Sequence, residues 1–416
     1  MSHRRVVITG MGALACNGID VPSMWSAVVA GRHGIVPITW FDASQHQTRF
    51  AGRVPLDQAQ LAGDEPKLAR RKDRFVLLAL RAAQEAMIMA GLTRDSWADP
   101  FRVCTIIGSG VGGMQTIEGE YATCLSRGPS RVSPMLVPKM IINSVAGDVS
   151  IRFGTRGPCY SIVTACATAT NCLGAAFHHI RRGQCDVGIA GGSEAALTPL
   201  TVAAFNSMGA LSTRNEDPGT ASRPFDVDRD GFVMSEGAGI LILEELEHAK
   251  RRKAAIFGEI VGYGATGDAY HETKPDPTGA AGAACLRMAL SDARCPYDNV
   301  GYLNAHGTST TVNDATETHV IKQAFGDHAR RLSISSTKGA TGHALGAAGA
   351  LEAIITVLAL RHGTVPPTAN LVRPDPACDL NYTPHHARSR TCQYAMSNNL
   401  GFGGHNAAVV FRRWEA

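Results

Sequence analysis

Two pairs of segments in this chain echo one another, and they do so in the same order. Near the start, Val7-Ile8-Thr9-Gly10-Met11-Gly12-Ala13 matches the pattern of Glu259-Ile260-Val261-Gly262-Tyr263-Gly264-Ala265. Further on, Cys166 heads a stretch that contains Leu173-Gly174-Ala175-Ala176 and ends Arg181-Arg182-Gly183. His343 heads another that contains Leu345-Gly346-Ala347-Ala348 and ends Arg361-His362-Gly363. Short glycine–alanine words recur by chance, so the weight lies in the shared order. A duplicated half with its join near residue 255 divides the chain into two domains, 1–255 and 256–416. The length agrees, since 416 residues are too many for one small core.

Runs rich in Val and Ile alternate with alanine-rich stretches of helical spacing, which argues for an α/β fold. Strands are expected at residues 6–9, 103–107, 161–163, 186–190, 240–243, 259–261, 301–304, 332–335 and 408–411. Helices are expected around 22–30, over 73–90 and over 167–182. Residues 214–229, rich in Asp, Pro and Arg, read as a long ordered loop.

Composition removes several function classes. Forty Lys plus Arg against 36 Asp plus Glu leave a formal net charge of +4. That is too mild and too evenly spread for nucleic-acid binding, yet it suits local docking of an acidic partner. The 11 cysteines form no C-x-x-C pair and no metal-ligand spacing, so reduced thiols in a cytoplasmic protein are expected, with no metal site. The basic start, His3-Arg4-Arg5, precedes only Val6-Val7-Ile8-Thr9 before a glycine, which reads as a first strand and not as a signal peptide. The longest apolar stretch, residues 353–360, falls far short of a membrane span.

The chemistry-bearing residues sit where strands give way to helices. Cys166, in Val163-Thr164-Ala165-Cys166-Ala167-Thr168-Ala169-Thr170, follows a short apolar run and precedes a small-residue helix. Unpaired N–H groups and the helix dipole there favour a thiolate, a nucleophile for acyl groups with oxyanion donors close by. The competing reading is a small buried core residue. His306 follows the strand at 301–304, in Asn304-Ala305-His306-Gly307-Thr308-Ser309-Thr310, with its ring free to face a cleft. Ser335-Ser336-Thr337-Lys338-Gly339-Ala340-Thr341-Gly342-His343 repeats the arrangement. Glu352, inside an apolar helical run, needs a partner, and Lys338 is the one within reach. Phe402, in Ser397-Asn398-Asn399-Leu400-Gly401-Phe402-Gly403-Gly404-His405-Asn406, is placed to act as a glycine-hinged gate or to cap the core beside a tight turn. Two glycine patterns, 10–15 and 108–113, fit a dinucleotide fingerprint in part. Neither has an acidic residue at the required spacing, and both read as tight strand-to-helix turns.

Together these residues make the chain similar to the β-ketoacyl-acyl carrier protein synthases, the type II condensing enzymes of bacterial fatty acid synthesis. The resemblance runs from Arg5-Val6-Val7-Ile8-Thr9-Gly10 to Ala407-Ala408-Val409-Val410 and includes Ser222-Arg223-Pro224-Phe225-Asp226 and Arg229-Asp230-Gly231-Phe232-Val233. Residues 108–113 with Ile117-Glu118 stand closer to synthase II than to synthase I. It implies a thiolase-like fold, two duplicated α/β halves in a five-layer αβαβα architecture, and a cytoplasmic homodimer that uses no cofactor and partners an acyl carrier protein.

The resemblance also implies roles. Cys166 takes the acyl group, with the N–H groups of Cys166 and Phe402 holding the oxyanion. His306 and His343 bind the malonyl thioester carbonyl and stabilise the enolate left by decarboxylation. Lys338 orients His343 and is held by Glu352. Thr308 and Thr310 bind the phosphopantetheine arm, Val111 sets pocket depth, and Asp268 couples to the motion of Phe402. His405, Leu14-Ala15-Cys16-Asn17-Gly18 and Asn171-Cys172 depart from the usual residues and leave room for a specialised substrate. The alternatives are a condensing enzyme of a polyketide or other secondary pathway, a non-condensing partner subunit, and a dinucleotide-dependent oxidoreductase. The presence of Cys166, His306 and His343 argues against the second.

Overall fold

A computed structural model describes residues 4–415. Sixteen elements form its frame, and the second eight repeat the first. The first half runs β1 (Val6–Leu14), α1 (Arg74–Ala90), β2 (Val103–Gly108), α2 (Ser144–Phe153), β3 (Cys159–Tyr160), α3 (Thr168–Arg181), β4 (Val187–Glu194) and β5 (Gly237–Glu245). The second runs β6 (Gly258–Gly267), α4 (Ala280–Asp292), β7 (Val300–Asn304), α5 (Thr311–Phe325), β8 (Ser333–Ser335), α6 (Ala348–His362), β9 (Tyr394–Gly401) and β10 (His405–Arg412).

The strands hydrogen-bond in the order β3-β2-β4-β5-β1-β6-β10-β9-β7-β8, a palindrome about the β1–β6 junction. Within each half the pairing is the same: parallel among the three outer strands, antiparallel among the inner ones. The halves join where Val6–Ile8 of β1 pairs antiparallel with Gly258–Ile260 of β6. Helices α3 and α6 pack on each other between the two half-sheets, while α1 with α2 and α4 with α5 cover the outer faces. This is the five-layer, thiolase-like arrangement that the resemblance implies.

Strands buried on both faces must be apolar on both. In β5, Leu241 and Leu243 face the central helices, and Ala238, Ile240 and Ile242 face α1. Helix α6 lies between the two half-sheets, so it is apolar nearly all round, buried from Ala348 to Leu360. The apolar run containing it, Leu345–His362, is 18 residues long, more than the sequence reading assigned, and 89% of it is buried inside the fold.

Three expectations need correction. The first glycine pattern is not a turn: β1 runs straight through Gly10 and Gly12. A β-carbon at either would lie closer than 3.0 Å to a backbone carbonyl of α1, Ala86 for Gly10 and Ala82 for Gly12. Gly262 and Gly264 stand against Ala289 and Cys285 of α4 in the same way. The echo between these segments is therefore a shared packing requirement, a helix laid directly on a strand. The second correction concerns register. The Leu-Gly-Ala-Ala words are not equivalent, because Leu173 lies inside α3 whereas Leu345 lies in the turn before α6. Third, residues 161–163 form no strand. The ladder stops at Tyr160, and the Ser161 hydroxyl continues the contact by donating to the Ile107 carbonyl at 2.5 Å. The loop expected at 214–229 holds only one short helical turn, Pro218–Thr220, and Arg229 anchors it to Asp375 at 2.6 Å.

The glycine packing makes a direct prediction. Gly12→Ala and Gly264→Ala should each destabilise the protein by about 1–3 kcal/mol in urea unfolding, as overpacked positions do. Gly119→Ala is the control, since nothing lies within 4 Å of its added carbon in helix Met114–Arg127, and it should be neutral or stabilising. Equal stability of Gly12→Ala and wild type would refute the close-packing account.

Candidate active site

The chain reaches Cys166 through a strained turn. Ala165 adopts φ +49, and the tight turn Ala165–Ala167 ends where α3 begins at Thr168. Thr168 braces it by accepting the Thr164 N–H on its hydroxyl at 2.9 Å. The thiol thus stands on an elbow before the helix and not in its first turn. The second half builds the same elbow at Leu345–Ala347, where Leu345 has φ +45. Gly401 lies against the first elbow, and a β-carbon there would come within 2.8 Å of the Thr164 carbonyl and 3.2 Å of the Cys166 nitrogen. This close approach brings the N–H of Phe402 toward the sulfur.

Cys166 is buried, and its Sγ lies 3.0 Å from Nε2 of His343. His306 completes the group: the sulfur and one nitrogen of each imidazole all lie within 4.8 Å of one another. The two rings meet edge to face with centroids 5.3 Å apart, and Phe232 backs His343 at 5.3 Å. His343 is fixed through its backbone, donating to Val233 and accepting from Ser235. His306 is fixed by Glu317, whose carboxylate accepts the N–H of His306 and of Gly307 at 2.7 Å each.

The charge state differs from the sequence expectation. Burial pushes the Cys166 thiol up to about 12, outweighing Lys338 and the Phe402 N–H, so the resting sulfur is a thiol and not a thiolate. Burial also holds His306 and His343 well below the usual histidine value, with the Lys338 cation adding to the effect. The resting site is a neutral thiol beside two neutral imidazoles. The 3.0 Å contact lets a proton pass from sulfur to His343 Nε2, so the pair can supply a nucleophile without a standing thiolate.

Lys338 is 1% exposed and close enough to both imidazoles to disfavour their protonation. Its ammonium pairs with Glu352, also buried, and donates to the His306 carbonyl at 2.5 Å. The contact to His306, and none to the His343 ring, corrects the expected partner. Glu352 also accepts from Asn399 at 2.6 Å.

These groups open into a cavity of about 300 Å³ lined by Cys166, His306, His343, Thr308, Thr310, Val111, Asp268 and Phe402. The Thr308 and Thr310 hydroxyls lie 3.0 Å apart, and Thr310 also caps α5. Val111 packs with Phe205 and Leu345 on the apolar wall, and the Phe402 ring lies 6.5 Å from that of Phe205. Asp268 donates its N–H to the Gly404 carbonyl and accepts from Asn406 at 2.6 Å, so it touches the glycine turn that carries Phe402. His405 is exposed, with its ring turned over Gly403. Asn171 bonds the Thr164 hydroxyl at 2.6 Å and thereby touches the elbow.

Of the buried carboxylates that the sequence does not single out, two hold backbone amides at the site. Glu317 has been described, and burial lifts it to about 7. Glu194, at the end of β4, accepts the N–H groups of Gly110, Val111 and Gly346 at 2.8, 3.2 and 3.0 Å. The amides of the second glycine pattern are thus occupied from within, where a phosphate would otherwise sit. Nothing local in sequence marks a carboxylate whose partners are backbone amides.

Residues 3–249 match the family described as "Beta-ketoacyl synthase, N-terminal domain", and residues 257–372 match "Beta-ketoacyl synthase, C-terminal domain". The 3-oxoacyl-acyl-carrier-protein synthase 2 of Coxiella burnetii is 48% identical over 413 residues, 99% of each chain. Its counterpart from Synechocystis sp. is 48% identical over 417 residues, 100% of this chain and 99% of the other. Among solved structures, a type II PKS ketosynthase in complex with its acyl-carrier protein and bound to the hexaketide (AntDE:AntF) superposes with a TM-score of 0.91. That match has 35% identity and covers 99% of this chain and 100% of the other. With both halves matched and full-length relatives at this identity, the chain belongs to the β-ketoacyl synthase family.

Proposed function

We propose that the protein catalyses the decarboxylative condensation of an acyl-Cys166 thioester with malonyl-acyl carrier protein, giving 3-oxoacyl-acyl carrier protein in fatty acid elongation. The observation that carries this reading is the convergence of one thiol and two neutral imidazoles in a single buried cavity. The Cys166 sulfur attacks the carbonyl of an acyl thioester while its proton passes to His343. The tetrahedral oxyanion is held by the N–H groups of Cys166 and Phe402, donors worth about 2.7–4 kcal/mol each in comparable acyl transfers. Collapse breaks the carbon–sulfur bond to the carrier, whose thiolate takes the proton back from His343.

Malonyl carrier protein then enters. Its thioester carbonyl accepts hydrogen bonds from Nε2–H of His306 and, once the proton of His343 has shifted from Nδ1 to Nε2 by exchange with water, from His343; the two donors stabilise the enolate as the carboxylate leaves as carbon dioxide. The carbanion forms a bond to the acyl carbonyl carbon, the carbon–sulfur bond to Cys166 breaks, and the thiolate takes the Nε2 proton of His343, which regains one from water at Nδ1. Thr308 and Thr310 hold the phosphopantetheine arm, Val111 sets the depth of the acyl pocket, and Phe402 gates it with Asp268 on the hinge side. Lys338, held by Glu352, adds to the burial that keeps both imidazoles neutral and holds His306 in place. Residues 1–255 supply the nucleophile and residues 256–416 the histidines.

The reading extends to a cytoplasmic homodimer that needs no metal or organic cofactor. Free thiols at all 11 cysteines support the compartment, and the exposed edge strand β3 with exposed Val163 supports a self-association surface. The solved relative's complex supports an acyl carrier protein as partner. A polyketide substrate is the second reading, favoured by that same relative; the higher identity to fatty acid synthases weighs against it.

Intact-mass analysis after incubation with acyl carrier proteins of several chain lengths should show one acyl adduct, on Cys166. Cys166→Ala should abolish condensation while keeping some malonyl decarboxylation; loss of either His306 or His343 should remove decarboxylation. Adducts elsewhere, or condensation by Cys166→Ala, would sink the assignment.

The buried groups also set a pH profile for stability. The histidines are depressed below 6.5 in the fold, so the unfolded chain binds more protons below that value and stability falls as pH drops through it. Cys166 is lifted from 9.0 to about 12, so the folded state binds more protons above 9.0 and stability falls as pH rises past it. Urea midpoints should therefore plateau between these limits, and His343→Gln should reduce the slope of the acid limb. An unchanged acid limb in that variant would contradict the buried-neutral assignment.

A further inference from the structure

Behind His306 a row of buried side chains crosses from one half of the protein to the other. Thr170, one helical turn after Cys166 on α3, donates its hydroxyl to Asn399 Oδ1 at 2.5 Å. Asn399, on β9, uses both amide hydrogens: one bonds Glu352 Oε2 at 2.6 Å and the other His306 Nδ1 at 3.3 Å. The partners settle which end of the amide is which. A carboxylate paired with Lys338 only accepts, so the nitrogen faces it, and the threonine hydroxyl donates to the oxygen. An imidazole that accepts at Nδ1 carries its proton at Nε2, the nitrogen left to face the cavity.

Space for this row is built into the neighbouring helix. A β-carbon at Gly349 of α6 would fall 2.7 Å from Asn399 Oδ1 and closer still to the Thr170 hydroxyl. Only a bare position on α6 lets the two side chains meet. Thr170, Asn399, Glu352 and His306 are all buried, so each contact is made without competition from water.

We propose that Asn399, braced by Thr170, is a positioning residue that locks His306 in its Nε2–H form and so governs decarboxylation ahead of acyl transfer. The proposal rests on the condensation reading above. His306 must present a donor to the malonyl thioester oxygen; the other tautomer presents a lone pair, which repels the enolate oxygen it should stabilise. Acyl transfer runs through the contact of Cys166 with His343, which Asn399 does not touch.

The test separates the two half-reactions in wild type, Asn399→Leu, Asn399→Asp, Thr170→Val and Thr170→Ser. Acyl transfer is followed by the mass of the Cys166 adduct. Decarboxylation is followed by carbon dioxide release from malonyl carrier protein without an acyl donor. The tautomer is read from the 15N spectrum of histidine-labelled protein, where Nδ1 of His306 should be unprotonated and Nε2 protonated. Both Asn399 variants should lose about 100-fold in decarboxylation, with acylation within about two-fold and the protonated nitrogen of His306 changed. Thr170→Val, nearly isosteric and so tolerated by the fold, should show a smaller loss of the same kind, and Thr170→Ser should restore it.

If all variants decarboxylate at the wild-type rate, or if the rate falls while the His306 tautomer is unchanged, the proposal is overturned. A wild-type protein that neither acylates Cys166 nor releases carbon dioxide would instead overturn the condensation reading itself.

Discussion

The ion pair between Lys338 and Glu352 is the constraint on which the site depends. Both groups are buried, and taking two charges out of water costs several kcal/mol per ion unless their remaining hydrogen bonds are satisfied. The fold satisfies them with groups that belong to the chemistry: the His306 carbonyl accepts from Lys338, and Asn399 donates to Glu352. The pair therefore cannot shift without moving His306. Its cation also sets the electrostatics, since it disfavours protonation of both imidazoles while drawing the Cys166 thiol downward against burial. One interaction thus fixes a position, reinforces the burial that keeps two imidazoles neutral, and opposes it at the thiol.

Duplication explains how such a pair comes to lie at the centre. Each half places a strained elbow ahead of its central helix, at Ala165 and at Leu345, and the two helices pack against each other between the sheets. The elbows then diverge. One presents the Cys166 thiol to the cavity. The other presents Gly346, whose N–H is bound by Glu194 from the opposite half. A symmetric frame therefore holds an asymmetric site, with the nucleophile on one side and the two histidines on the other.

Much of this was legible in sequence, and the failures have physical causes. Strands read as runs of three to five residues proved longer wherever glycines continued them, as in β4 through Gly191 and Gly192 and in β6 through Gly262 and Gly264. Glycine weakens the strand signal but is demanded there by close packing. Cys166, His306 and His343 stood out because each lies where a strand-like run gives way to a turn or a helix. Their charge states did not, because helix-terminus reasoning assumes an accessible thiol, and burial reverses its sign. Asn399 lay inside a stretch read only for Phe402; its importance comes from partners far away in sequence, Thr170, His306 and Glu352.

Keeping the resting site neutral has a consequence for how charge enters it. A thiolate–imidazolium pair formed beside Lys338 would place two cations together in a region poor in water, so separation of charge is unfavourable until a substrate oxygen takes the negative end. In the proposed mechanism that oxygen is held by the N–H groups of Cys166 and Phe402, which requires Phe402 to stay in register with the elbow. Gly401 permits the contact, and Gly403 and Gly404, at φ +81 and +72, form the turn that holds it. In the proposed mechanism, gating and nucleophile activation are then one event. The residue that opens the pocket also carries a backbone donor that makes the charge affordable, and an empty site has no reason to ionise.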